Sequence, residues 1–268
     1  MNDRVTITIE GGVADVRLVR ADKMNALDDA MFEALIAAGT RLKTEKGVRA
    51  VVLSGEGRAF CAGLDMGNFQ RTAEAGRETR SMDRLIGRTH GIANRPQYAA
   101  WVWREVPVPV IAAVHGVAFG GGFQVALGAD MRYAAPDTKM SVMEIKWGLV
   151  PDMAGTVLMR GLVRDDVIRE LTYTGRIFLA EEGARLGVVT RLCADPRADA
   201  LATAQEIAQK SPDAIRAAKR MFNSLPLASE ADALMVESKE QTALGGSANQ
   251  VEAVMAQLQK RAPNFTDR

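Results

Sequence analysis

Residues 107–129 read Pro-Val-Pro-Val-Ile-Ala-Ala-Val-His-Gly-Val-Ala-Phe-Gly-Gly-Gly-Phe-Gln-Val-Ala-Leu-Gly-Ala, 23 residues in which only His115 and Gln124 interrupt the apolar character. A run of that length could span a bilayer. Its breakers argue otherwise. Pro107, Pro109, Gly116 and the triplet Gly120–Gly122 divide it into a short β-rich run, a turn and a second apolar run. The stretch therefore reads as a buried strand, a turn and a buried helix.

Working outward, the same alternation of element types returns. Arg49-Ala-Val-Val-Leu-Ser54 is another short buried strand, closed by Gly55 and Gly57. Val5, Ile7 and Ile9 alternate with polar residues, Gly11-Gly12 supplies a turn, and Val13, Val16 and Leu18 follow, which is a hairpin pattern. Asp28 predicts a helix N-cap ahead of Met31, Phe32, Leu35, Ile36 and Leu42 at helical spacing. Strands alternating with helices predict an α/β fold with a substantial parallel sheet. Residues 67–104, rich in Arg, Glu and Thr and ending in Trp101-Val-Trp103, keep only weak helical periodicity. They read as a partly helical, mobile excursion outside the core. After Asp195-Pro196 come long Ala-rich helices with apolar stripes, among them Ile207, Ile215, Leu234, Met235, Val254 and Leu258. We expect an α/β body over 1–195 and a helical docking or oligomerisation region over 196–268.

Composition narrows the function. The 268 residues carry 34 Lys+Arg against 33 Asp+Glu, a formal charge of +1 that offers no footprint for nucleic acid. Apolar residues at 47% and charged residues at 25% are ordinary globular usage, so a packed domain is expected rather than disorder. Cys61 and Cys193 make no disulfide framework and suggest a reducing, cytoplasmic setting. With His90 and His115 they leave too few ligands for a zinc site. The alternating N-terminus has no signal-like apolar stretch, and no membrane association is expected.

Three segments could carry chemistry. The glycine triplet at a helix start leaves backbone N–H groups open at a positive terminus; close packing of a turn against the sheet explains it equally well. A dinucleotide fingerprint fails because a third glycine would fall at Val125. In Gly57 to Met66, Cys61 reads as a small packing residue, having no His/Asn constellation to activate it. His115 closes an apolar strand as a structural residue, and His90 lies in the excursion without a recognisable partner. In Ser141 to Asp152, Glu144 sits in apolar surroundings that raise a carboxyl pKa towards acid/base use. Asp152 follows eight residues later. The plainer reading gives Glu144 an ion pair with Lys146 and makes Asp152 a helix N-cap.

Together these segments resemble the crotonase superfamily, the enoyl-CoA hydratase/isomerase family. The matching residues are Lys23-Met-Asn-Ala-Leu27, Arg58-Ala-Phe-Cys-Ala-Gly-Leu-Asp65, Gly116 with Gly120–Gly122, Glu144 through Gly155, and the ending Lys260-Arg-Ala-Pro-Asn-Phe265. The resemblance covers essentially the whole chain. It implies a spiral of ββα turns with a C-terminal helical oligomerisation region, assembled as a trimer or a hexamer. It also implies an acyl-CoA thioester substrate and no cofactor, coenzyme A being part of the substrate. By the same resemblance the backbone N–H groups of Leu64 and Gly121 would hold the enolate oxygen. Met24, Ala26, Ala62, Asp65, Met66 and Gly120 would line the coenzyme A channel, and Lys260 would reach coenzyme A bound to an adjacent subunit.

The acid/base positions depart from the family pattern. Its hydratases use two glutamates at the positions held here by Gln124 and Glu144, and Gln124 cannot deprotonate water. Its dienoyl-CoA isomerases carry an aspartate at the position of Asp152 and a third acid at that of Gln124. The expectation is therefore a double-bond isomerase: Glu144 transfers the proton, Asp152 assists, and Gln124 orients substrate or water. A hydratase of restricted activity and a CoA-ester-binding protein with little turnover are the alternatives.

Overall fold

The computed structural model describes residues 3–67 and 83–267. Gly11 and Gly12, at φ of 56° and 81°, turn strand β1 (Val5–Glu10) back onto β2 (Val13–Leu18), the left-handed pair that a two-residue hairpin loop requires. The later strands are β3 (Ala50–Gly55), β4 (Val110–Val114), β5 (Val117–Phe119), β6 (Met131–Ala134), β7 (Lys139–Ser141), β8 (Phe178–Leu179) and β9 (Arg191–Leu192). The main sheet runs β1-β2-β3-β4-β6-β9 and is parallel from β2 onward; β5, β7 and β8 form a second, smaller sheet.

Both faces of the main sheet are covered, which is why β3 and β4 are continuously apolar. Val51 and Leu53 face a core shared with Met31 and Leu35 of α1 (Asp29–Thr44), Trp103 of α2 (Arg95–Glu105) and Phe123 of α3 (Gly121–Leu127). Ala50, Val52, Ile111 and Tyr133 face a second core. The hairpin, the cap and the strand–turn–helix at 110–127 appear as the sequence predicts. The Asp28 carboxylate accepts the Met31 N–H at 2.8 Å. Among the described residues no helix is long and apolar enough to cross a membrane.

The segment 67–104 needs correction. Residues 68–82 lie outside the described residues, but α2 belongs to the core, with Tyr98, Val102 and Trp103 buried. A capping box starts it, Asn94 accepting the Gln97 N–H and the Gln97 side chain accepting the Asn94 N–H. His90 also has partners: its ring stacks on Tyr98 at 4.6 Å, and its Nδ1 lies 2.9 Å from Thr89 Oγ1.

In the C-terminal third, α5 (Pro196–Ala208) lays Ala200, Ala204 and Ala208 on the far face of the main sheet. It is thus a layer of the α/β body, and the exposed apolar residues of this C-terminal region lie on the helices after it. Next, α6 (Pro212–Ser224) is tied down by Lys219, whose ammonium is buried and donates to Val108 O and Asp130 Oδ2, both at 2.8 Å. The Asp130 carboxylate also accepts the Val110 N–H at 2.7 Å, fixing the start of β4. By contrast α7 (Glu230–Leu244) buries none of its residues. With α8 (Ala248–Leu258) it exposes Leu234, Met235, Val251 and Leu258, the last at 74%.

Burial pushes the Lys219 ammonium down against the attraction of Asp130, so the pair depends on both charges. Lys219→Met should cost about 3 kcal/mol, the lower end for breaking a buried ion pair, because the Asp130 side chain is 25% exposed. A urea titration at neutral pH measures this, and an unchanged midpoint would contradict the clamp.

Candidate active site

The site is assembled on a strained turn. Met24 and Asn25 both take left-handed backbone conformations, at φ of 49° and 55°, which side-chain-bearing residues adopt only when held. The buried Asn25 amide holds them. Its oxygen accepts the Arg20 N–H at 2.9 Å, and its nitrogen donates to Glu56 O at 3.0 Å and Ala59 O at 2.9 Å. The Cys61 thiol donates to Asn25 O at 3.1 Å. Complete burial pushes that thiol up to about 12, so Cys61 is a packing residue, as expected.

The turn then pairs with the segment after Cys61. Ala62 N–H donates to Met24 O at 3.0 Å, Leu27 N–H to Gly63 O at 2.8 Å, and Asp65 N–H to Leu27 O at 3.1 Å. In this parallel bridge Gly63 O and Asp65 N–H are used on the Leu27 side, so the Leu64 N–H faces the other way. Gly63, at φ of 89°, makes the kink; a Cβ there would lie 2.6 Å from Phe119 O and 3.8 Å from Gly121 N. The Leu64 peptide is therefore carried beside the start of α3. Neither the Leu64 nor the Gly121 N–H has an acceptor among the described residues. A Cβ on Gly121 would come within 2.7 Å of Met153 Sδ and 2.8 Å of Leu27 Cδ1, so apolar side chains pack directly against Gly121.

Of the expected channel residues, Met24, Ala26, Ala62 and Asp65 lie on these paired segments. Met66 follows, 58% exposed. The Asp65 carboxylate is bound to Arg20 at 2.6 Å and its N–H to Leu27 O, so neither is open to a ligand. Gly120 abuts the acid, since its Cβ would lie 3.3 Å from Glu144 Oε1. Lys260 stands apart. It follows α8, exposed, and no hydrogen bond or ion pair among the described residues joins it to the others.

Glu144 opens a short helical turn, Glu144–Trp147, and is 9% exposed. Its Oε1 accepts from Gln124 Nε2 at 2.6 Å, while its buried Oε2 has no hydrogen-bond partner among the described residues. The Gln124 oxygen accepts the N–H groups of Met153 at 2.9 Å and Gly155 at 2.8 Å. Burial raises the Glu144 carboxyl above its ordinary range and the nearby Asp152 charge adds to this, against the stabilising Gln124 bond. Asp152 is exposed at the surface, yet its carboxyl is crowded enough that burial pushes it up as well.

The plainer readings of the two acids do not hold. Lys146 lies over the Trp147 ring, 5.5 Å from its centre, and forms no ion pair with Glu144. Helix α4 (Gly155–Met159) is preceded by Ala154 with no side-chain cap, so Asp152 does not cap it. His115 Nε2 is 2.9 Å from Gly57 O, a satisfied structural contact. Sequence reasoning missed Leu27 and Met153 as the apolar packing against Gly121, Arg20 and Asn25 as supports, and Gly155 as the gap that admits Gln124. Of these only Arg20 lies outside the motifs singled out in the sequence. Among the described residues no group of His, Cys, Asp and Glu is gathered to hold a metal ion. The arrangement offers two open N–H donors for an anionic oxygen beside one buried, unpartnered carboxyl oxygen of raised proton affinity, a combination suited to enolisation.

Comparison with known proteins agrees in kind. The family model for enoyl-CoA hydratase/isomerase matches residues 8–268. A Rhodobacter capsulatus protein named "Probable enoyl-CoA hydratase" is 33% identical over 265 residues, covering 97% of this chain and 96% of its own. The human mitochondrial Delta(3,5)-Delta(2,4)-dienoyl-CoA isomerase is 32% identical over 212 residues, covering 77% of this chain and 64% of its own. The crystal structure of enoyl-CoA hydratase from Bacillus anthracis superposes with a TM-score of 0.88 at 26% identity, covering 98% of this chain and 99% of that one. The chain belongs to the enoyl-CoA hydratase/isomerase family, an enzyme family, and its spiral α/β architecture is the crotonase fold.

Proposed function

We propose that this enzyme moves a carbon–carbon double bond in an acyl-CoA thioester through an enolate. The carrying observation is the buried Oε2 of Glu144, bare while Oε1 is occupied by Gln124. The thioester oxygen takes the Leu64 and Gly121 N–H groups. The Glu144 carboxylate, through Oε2, removes a proton from the carbon next to the thioester, and the electron pair delocalises onto the oxygen. The same oxygen returns the proton two carbons further along, and the double bond shifts into conjugation. Asp152 assists by biasing Glu144 towards holding the proton. Coenzyme A lies along Met24, Ala26, Ala62, Asp65, Met66 and Gly120. Gln124 orients substrate through Glu144, its own amide being committed to Glu144, Met153 and Gly155.

A second reading, hydration with water activated by Glu144 alone, is favoured by the hydratase names of relatives such as the Rhodobacter capsulatus protein. Against it stands an amide where two-acid hydration needs a carboxylate. Products from 3-enoyl-, dienoyl- and 2-enoyl-CoA in D2O separate the readings: isomerisation exchanges protons without adding water. Tight acyl-CoA binding without turnover of any of these would leave only a binding protein.

Within residues 196–268, the helices after α5 supply the assembly surface. The exposed apolar residues of α7 and α8 would bury against other copies in a trimer or hexamer, and Lys260 would meet a neighbour's coenzyme A. Light scattering should report a trimer or larger at micromolar concentration; a stable monomer would contradict the assembly.

Glu144→Gln should lower turnover about 100-fold or more while acyl-CoA still binds. In the wild type, turnover should rise with pH through a value above the ordinary glutamate range, because the base works as the carboxylate and burial raises its proton affinity. Near-full activity in the variant would make Glu144 structural.

Gln124→Glu would keep an oxygen for the Met153 and Gly155 N–H groups and set its other oxygen where Nε2 now lies 2.6 Å from Glu144 Oε1. Two carboxyls that close share a proton, the acid and base pairing that water addition uses. The ratio of crotonyl-CoA hydration to isomerisation should rise about tenfold or more. A folded, acyl-CoA-binding variant with an unchanged ratio would remove the argument from Gln124.

A further inference from the structure

Arg20 is the last residue before the strained turn, and one of its guanidinium nitrogens serves both halves of the site. Nη1 donates to Asp65 Oδ2 at 2.6 Å and to Ala26 O at 3.0 Å, and lies 3.5 Å from Asp28 Oδ2. Those acceptors flank the bridged pair Leu27–Leu64: Ala26 and Asp28 stand on either side of Leu27, and Asp65 follows Leu64. Both carboxylates are anchored again from elsewhere. Asp65 Oδ1 accepts the Gly67 N–H at 2.8 Å, and Asp28 accepts from Arg4 Nη2 at 3.0 Å while capping α1. Burial works to raise the Asp65 carboxyl, but the Arg20 bond and the Gly67 N–H hold it below the usual range, so it stays ionised and paired at neutral pH.

The peptide between Gly63 and Leu64 needs such a tie. At φ of 89° Gly63 occupies backbone space with wide freedom, and backbone pairing ties its segment to the turn through neutral hydrogen bonds at 3.0, 2.8 and 3.1 Å. Arg20 adds a charge-assisted one. Asn25 fixes the same segment at Glu56 and Ala59, well before the kink, so among the described residues Arg20 is the side-chain tie that acts after it.

We propose that Arg20 is a positioning residue: through Asp65 and Ala26 it aims the Leu64 N–H at the thioester oxygen. The proposal rests on the reading of Leu64 as a thioester contact. Arg20 touches no reacting atom; it sets the direction of one that does.

The test compares wild type with Arg20→Met, Arg20→Lys and Asp65→Asn in the full chain. It reads kcat and KM on the best acyl-CoA, thermal stability, and the absorption shift of cinnamoyl-CoA on binding. That shift reports how strongly hydrogen-bond donors polarise the thioester carbonyl. Arg20→Met should lower kcat about 10- to 100-fold, as a sub-ångström misaim of a catalytic group does, with KM within about threefold and a smaller absorption shift. Arg20→Lys should restore part of both, and Asp65→Asn should move them in the same direction as Arg20→Met. A folded Arg20→Met that loses stability but keeps the wild-type shift and kcat would overturn the proposal, leaving Arg20 a structural latch. Should Arg20→Met fail to fold, the same readings on Asp65→Asn decide. A turning-over wild type that gives no shift would sink the Leu64 and Gly121 reading itself, and this proposal with it; that outcome is distinct from a failure of Arg20 alone.

Discussion

The site depends on backbone pressed against backbone. Along residues 55–65 the chain lies so close to the β4–β5–α3 region that side chains are excluded on one partner or the other. A Cβ on Gly116 would lie 2.0 Å from Arg58 O, one on Gly122 would lie 2.4 Å from Cys61 O, and one on Gly63 would lie 2.6 Å from Phe119 O. Cys61 consequently pairs along β5, its N–H donating to Val117 O at 3.1 Å and its carbonyl accepting from Phe119 N at 3.1 Å. Two loops distant in sequence become one surface, and main-chain groups can serve as binding groups. Side chains then have the secondary tasks of bracing and charge.

Bracing and charge meet at Gln124. Its amide accepts two N–H groups with one end and donates with the other, so it joins α3, the Glu144 turn and the start of α4 without adding a charge. A carboxylate there would stand against Glu144 in a low-dielectric setting and change the proton inventory of the whole site. The amide therefore leaves a simpler electrostatic situation: one buried acid, influenced by one more distant one at Asp152. The buried, unpartnered Oε2 is the cost of that simplicity, since such an atom gains a partner only from a ligand or its own proton.

Features governed by local chemistry were legible in the sequence. The hairpin at Gly11-Gly12, the Asp28 cap and the β3 and β4 strands follow from periodicity and cap chemistry within a few residues. The triplet marked the start of α3, and Glu144 stood out as an acid in apolar surroundings. What escaped was set by long-range packing. Nothing near Trp103 says that α1 will offer Gly39, where a Cβ would lie 2.5 Å from Val102 Cγ1, so the helix behind it read as excursion rather than core. The readable sign was the Asn94-to-Gln97 capping box. Left-handed Met24 and Asn25 look like ordinary residues in one dimension, and the Leu27–Leu64 bridge spans a separation that no local pattern encodes. The influence of Asp152 on Glu144 likewise depends on a turn through Gly148, at φ of 69°.

The burial of Cys61 bears on chemical selectivity. A Cβ on Gly122 would lie 2.8 Å from its sulfur, so a potential nucleophile sits within one residue's reach of the donors around α3. Only a thiolate exchanges with an activated acyl carbon at a useful rate. With its proton engaged by Asn25 O and its ionisation pushed up to about 12, this sulfur stays protonated throughout the physiological range. A thioester bound there would be shielded from acyl transfer to the protein, a self-poisoning side reaction that an exposed cysteine at the same place would invite.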